Sequence, residues 1–261
     1  MSRWARALGN LAITVLVCGI YLHFFGLQTF VAFEARSVAR KMPVVKRVPV
    51  ELQDLSISQA SGKKLAYFGY EFEIPWEDID EAKSRTVGEN KAIIFFRSGN
   101  ALSVLISPPR QFVDKVFSSG NMDQKTFRKI YGDEALQSDY TFRHIMLETT
   151  PDKITPFISR RDAVSRAMLL LWKGVSAPYC AGSGVFAVRA GEFTGFQYGH
   201  PPSPEGVSIE LFADSGSLDF VFDQKMIGPT VIISQPDVNR VLSTLHKAAS
   251  RRVASVSPST E

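Results

Sequence analysis

Between Arg6 and Glu34 lie 27 consecutive residues without a single Lys, Arg, Asp or Glu. About 20 apolar residues cross a bilayer as a helix, so this run is long enough to span one. It is centred on Leu11-Ala-Ile-Thr-Val-Leu-Val-Cys-Gly-Ile-Tyr-Leu-His-Phe-Phe-Gly-Leu27, with Trp4 at one end and aromatic residues from Tyr21 to Phe33 towards the other. Aromatic rings favour the two interfaces of a membrane. The pattern predicts a short basic tail over 1–10 and a transmembrane anchor over 11–33, with the lipid bilayer as its partner. A cleaved signal peptide is the competing reading, because Met1–Arg6 serves as an n-region. No small-x-small site follows cleanly: Phe30-Val31-Ala32 and Phe33-Glu34-Ala35 both place Phe where a small residue is needed.

Charge supports the membrane reading. The chain carries a net +4, of which Arg3 and Arg6 supply +2 and residues 34–47 supply +4, which leaves −2 for residues 48–261. A nucleic-acid-binding domain needs a basic face in its folded part, so no nucleic-acid partner is expected. The cations instead flank the apolar run. Arg3, Arg6, Arg36, Arg40, Lys41, Lys46 and Arg47 are the candidate membrane-surface contacts, the last five on a basic juxtamembrane linker over 34–49. The count of cations favours a cytoplasmic body, whereas the short basic segment before the first apolar run resembles an export signal. The expectation adopted is a single-pass protein with an extracytoplasmic body.

That body, residues 50–249, has ordinary globular composition for the chain as a whole, 45% hydrophobic and 21% charged, and no Ser/Gly-rich linker divides it. Ala92–Phe96 and Ala101–Ile106 flank Arg97-Ser-Gly-Asn100 as a hairpin whose nearly continuous apolar character suggests a central place in a sheet. Val207–Ala213 and Leu218–Asp223 alternate around Asp214-Ser-Gly-Ser217, which puts Val207, Ile209, Leu211, Leu218, Phe220 and Phe222 in the core and Glu210, Asp219 and Asp223 in water. Further strands are expected over Leu65–Ile74, Val185–Arg189, Phe193–Tyr198 and Thr230–Ser234. Ser159-x-x-Asp162 opens a helix with Val164, Met168, Leu171 and Trp172 on its apolar face and Gly174 as its stop. Asp237–Lys247 reads as the closing helix. Strands in two blocks, with helices between and after them, give an α+β class with a mainly antiparallel sheet. The Ser-rich tail, 250–261, reads as disordered.

Chemical signatures are sparse. His23, His144, His200 and His246 stand outside metal-ligand spacing of one another and of either Cys, so no metal or cofactor is expected. Gly62-Lys63-Lys64 lacks the rest of a phosphate loop, and Gly182-Ser183-Gly184 lacks the flanks of a nucleophile elbow. Glu77, Asp78, Asp80 and Glu81 read as the acidic first turn of a helix. One catalytic constellation can be written: Cys180 and His200, each in a loop, as a thiol-imidazole pair. The expected function is a membrane-anchored, non-catalytic domain that binds a protein partner or serves envelope assembly. The alternatives are a tethered hydrolase or transferase using Cys180 and His200, and an apolar-ligand domain using the Phe-rich second strand block.

Overall fold

The computed structural model describes residues 3–118, 123–176, 184–203, 206–223 and 232–248, with the backbone alone for 3–10 and 176. The first element, α1, is one helix from Arg3 to Lys41 that is long and apolar enough to cross a membrane. Its two halves have different surroundings. Every residue from Leu11 to Phe24 is exposed, whereas Gln28, Ala32, Ala35 and Ala39 are buried at successive turns of one face. The three alanines pack with Ala163, Ala167 and Leu170 of α5 (Arg160–Ser176), where small side chains on both helices permit close approach. A 3₁₀ turn at Pro43–Lys46 then buries Val44 and Val45. Residues 34–49, expected as a linker, are therefore helical through Lys41 and packed into the body.

The large sheet has the order β1-β7-β8-β9-β10-β6-β5-β4 among the described residues. These strands are β1 Val50–Glu51, β4 Arg85–Val87, β5 Lys91–Phe95, β6 Ala101–Ser107, β7 Val185–Ala190, β8 Phe193–Tyr198, β9 Val207–Ala213 and β10 Gly216–Asp223. Every neighbouring pair is antiparallel except β1 with β7. A second sheet, β11-β3-β2, joins β2 Lys63–Tyr67, β3 Tyr70–Ile74 and β11 His246–Lys247. The class is α+β: a large antiparallel sheet packed with helices behind a long apolar N-terminal helix.

Both faces of the large sheet are covered. On one face Ile209, Leu211, Leu218, Phe220 and Phe222 meet the small sheet and α6 (Gln235–Thr244), with Phe72 edge-on to Phe220 at 5.1 Å and Trp76 edge-on to Phe222 at 5.7 Å. On the other face Val185, Phe196 and Tyr198 meet α2 (Gln111–Ser118), α3 (Gln124–Tyr131), α4 (Asp139–Glu148) and α5 through Val113, Phe127, Phe142, Met146 and Leu169. Lys173 of α5 is fully buried, and its ammonium group donates to the backbone oxygens of Arg47, Leu147 and Thr149. One cation thereby ties the end of α1's turn and the C-terminus of α4 to α5, a favourable place for positive charge.

Several sequence expectations need correction. Leu65–Ile74 is a hairpin rather than one strand, because Phe68 and Gly69 both take positive φ, 53° and 80°, and turn the chain between β2 and β3. The closing helix starts earlier, at Gln235 behind a capping box of Ser234 and Asp237, and ends at Thr244, so His246 lies in a strand beside Glu71. Ile232–Ser234 is not strand; Thr230 lies outside the described residues, as does the tail 250–261. Helix α5 runs through Gly174, and Val164 and Leu171 face solvent, because the helices beside it engage Ala163, Leu169 and Leu170 instead. The acidic run opens no helix: Glu77, Asp80 and Glu81 engage Ser61, Lys83 and Lys63, and Asp78 accepts from the backbone N–H of Ser98.

Candidate functional site

Glu210 and Asp219 sit directly opposite one another on β9 and β10. Alternation places them on the face away from the first core, as the sequence requires, yet α4 and α2 cover that face, so the expectation that both meet open water is overturned. Asp223, two pleat repeats further along β10, is exposed. A cavity of about 260 Å³ opens at the two carboxylates, with Phe112, Phe142 and Phe212 among its walls and Lys115 at its rim.

Arg143 of α4 reaches down onto Glu210 with both ends of its fork, Nε to Oε2 at 2.8 Å and Nη2 to Oε1 at 3.1 Å. Two parallel charge-assisted bonds of this kind fix orientation as well as charge. The Tyr198 hydroxyl donates to the same Oε2 at 3.0 Å. Burial disfavours the guanidinium charge of Arg143, but Glu210, with Tyr198, Asp219 and Asp139 behind it, outweighs burial and raises its pKa. Asp139, the first residue of α4, accepts from the backbone N–H groups of Phe112 and Val113, both at 3.0 Å, and so caps α2 from a neighbouring helix. Burial raises the Asp139 pKa, against those two bonds.

Asp219 differs from both. It makes no hydrogen bond and no ion pair among the described residues. Burial, and next the charge of Glu210, push its pKa up to about 8, with Arg143 opposing them. The cavity therefore holds an acid that is largely protonated at neutral pH beside one that is held by Arg143. Environments that separate two neighbouring carboxylates in this way are common at functional sites.

On β8, beside β9 in the sheet, a Cβ at Gly195 would stand 1.9 Å from the Glu210 carbonyl oxygen, which is why this strand interior carries glycine. A second cavity, of about 570 Å³, lies across Phe212 and is lined by Arg110, Tyr140, Thr194 and Lys247 among others.

The residues singled out from sequence lie elsewhere. Arg36, Arg40 and Lys46 come together with Asp152 around a groove of about 460 Å³ beside α1. Lys41 is exposed, and the Arg47 carbonyl accepts from Lys173. Arg3 and Arg6 lie in the first two turns of α1. His200 is exposed, with Nδ1 2.8 Å from the Pro201 carbonyl oxygen and its ring edge-on to Phe186. Cys180 lies outside the described residues, so the pair it was expected to form is not described either. The aromatic residues of the second strand block mostly fill the two cores: Phe193, Phe196, Tyr198, Phe220 and Phe222 are all buried. Sequence reasoning missed Arg143, Asp139 and Asp219; the available signal was an acid at matching places on two adjacent strands, which strand alternation reads as solvent-facing.

No protein family, curated protein or solved structure matches this chain.

Proposed function

We propose that this chain is a single-pass, membrane-anchored binding protein whose body stands outside the cytoplasm against the bilayer surface and serves an envelope assembly without catalysing a reaction. The observation that carries this reading is the division of α1. From Trp4 to Phe24 the helix is about 31 Å long at 1.5 Å per residue, which matches the hydrocarbon thickness of a bilayer. From Phe25 onward one face of the helix packs on the body while Leu27, Phe30 and Phe33 stay exposed: Phe25 packs edge-on with Phe157 and Gln28 donates to the Ile158 carbonyl, and just before it Arg160 donates to the His23 carbonyl. A guanidinium group at that level suits the headgroup region, and Phe157, 79% exposed beside it, suits the lipid interface.

The packing of Ala32, Ala35 and Ala39 also favours retention of the segment over its cleavage, since cutting there would divide a helix embedded in the body. The binding part of the reading rests on the cavity, whose charged groups Arg143, Glu210 and Asp139 are held rigidly in place.

Protease accessibility of a tag placed after Glu261, in intact spheroplasts and after lysis, tests sidedness, with alkaline extraction of the membranes as its companion. Retention in the membrane pellet together with cleavage of the tag in intact spheroplasts is the expected result. Release at alkaline pH would overturn the anchor, and cleavage only after lysis would overturn the orientation. Crosslinking in intact cells tests the assembly: a specific adduct is expected, and a body that crosslinks only to itself would replace the partner with an oligomer.

A further inference from the structure

Among the described residues, every carboxylate oxygen facing the sheet-helix cavity has a partner except those of Asp219. Glu210 spends Oε1 on Arg143 and Oε2 on Arg143 and Tyr198, and Asp139 spends both oxygens on the N-terminus of α2. Asp219, half-buried, faces the cavity of about 260 Å³ without a donor among the described residues. We propose that this cavity binds a small organic cation, a primary ammonium compound, whose N–H groups donate to the Asp219 carboxylate. The inference rests on the reading of the body as a binding domain and not on the membrane anchor.

Charge selects the sign of the ligand. With Asp219 ionised, three carboxylates, Asp139, Glu210 and Asp219, face two cations, Arg143 and Lys115. That state leaves one negative charge over, which is costly, so the empty cavity keeps the Asp219 proton and is balanced. An ammonium group exchanged for that proton keeps the balance, while an anion would upset it. A metal ion is a poor alternative, because no group of three or more His, Cys, Asp or Glu among the described residues is placed to hold one. The walls select an organic cation: Phe112, Phe142 and Phe212 offer aromatic surface to a hydrocarbon stem and π-faces to the charge. A cavity of about 150 Å³ holds benzene, so this one has room for a somewhat larger molecule.

Binding is coupled to a proton. The groups facing Asp219 are Glu210 on β9, Asp139 and Arg143 on α4 and Lys115 on α2, and in the empty cavity Asp219 keeps its proton up to about pH 8. An ammonium ligand needs the carboxylate, so below that pH each ligand bound expels about one proton. Affinity rises with pH up to about 8 and then levels off.

The test is calorimetric titration of the full chain in detergent micelles with n-butylammonium and phenethylammonium, with butanol and phenylethanol as uncharged counterparts. The amines are expected to bind and the alcohols not to. The heat at pH 7 should differ between phosphate and Tris buffers by the ionisation heat of about one proton. Asp219→Asn should weaken amine binding at least tenfold, and Lys115→Met, which removes a competing cation at the rim, should strengthen it. Circular dichroism of each variant separates loss of binding from loss of fold. The proposal is overturned if no amine gives heat or a melting shift between pH 6 and 9, if the alcohols bind equally, or if a folded Asp219→Asn variant binds as tightly. A chain that is anchored but binds no amine fails this inference alone. One that binds amine but is released by alkali fails the anchor alone.

Discussion

Asp219→Asn should make the protein more stable, and the gain should depend on pH. An amide matches the protonated carboxyl in shape and cannot ionise. For the native residue the acid's pKa rises from 3.8 in a solvated chain to about 8 in the folded one. Between those values the unfolded chain sheds a proton that the folded chain retains. The contribution of Asp219 to stability is therefore greatest below pH 3.8, falls as the pH rises, and is constant again above about 8. At about 1.4 kcal/mol for each tenfold change in proton affinity, the full shift would amount to about 6 kcal/mol. The cavity admits water and Asp219 is only partly covered in area, so screening should leave about 2 kcal/mol at pH 8. For a domain of this size that is about 4–8 °C in Tm. The assay is urea unfolding of both proteins in micelles from pH 4 to 9. Asp139 and Asp223 also have raised pKa values, but the difference between variant and native protein cancels their contribution. That difference should be near zero at pH 4 and grow to its limit near pH 8. A difference that is flat with pH, or a variant less stable at pH 8, would refute the assignment of Asp219 as an unpartnered acid.

Three further outcomes follow from the packing. Lys173→Met should destabilise the body by about 3–5 kcal/mol, because three buried carbonyl groups lose their donor, measured by the urea midpoint. Gly195→Ala should cost about 3 kcal/mol or prevent folding, since its methyl group would force β8 away from β9; a Tm within 2 °C of the native value would contradict the close approach. Removal of residues 1–24 should leave a folded body, whereas removal of 1–47 strips Val45 and the Ala32, Ala35 and Ala39 face from α5 and should lower Tm by at least about 5 °C, seen by calorimetry.

Local patterns in the chain carried much of the architecture. The apolar run without charges identified the long apolar helix, and the turn signals at Ser98-Gly99 and at Asp214-Ser215 identified the two hairpins. Alternation in Val207–Ala213 and Leu218–Asp223 assigned the correct residues to the first core. It was less informative where one residue changed the outcome, as at Gly69, where a tight turn hides inside a stretch that otherwise reads as strand. It was silent at the cavity, because Arg143 lies 67 residues from Glu210 and no periodicity links them.

Residue type and spacing thus determined, without further help, that the chain has a membrane-length apolar helix, that its body is α+β, and which side of each hairpin strand is apolar. Those are properties of a few neighbouring residues, and periods of 2.0 and 3.6 express them directly. Only the tertiary structure decided that the polar side of the sheet is also covered, that the basic flank of α1 is built into the body, and that Asp219 has no hydrogen-bond partner among the described residues. The physical reason is that covering, pairing and desolvation depend on which distant elements pack together. An aspartate on the polar side of a strand has the same sequence signature whether it meets open water or a cavity under two helices, yet burial beside Glu210 raises its proton affinity only in the second.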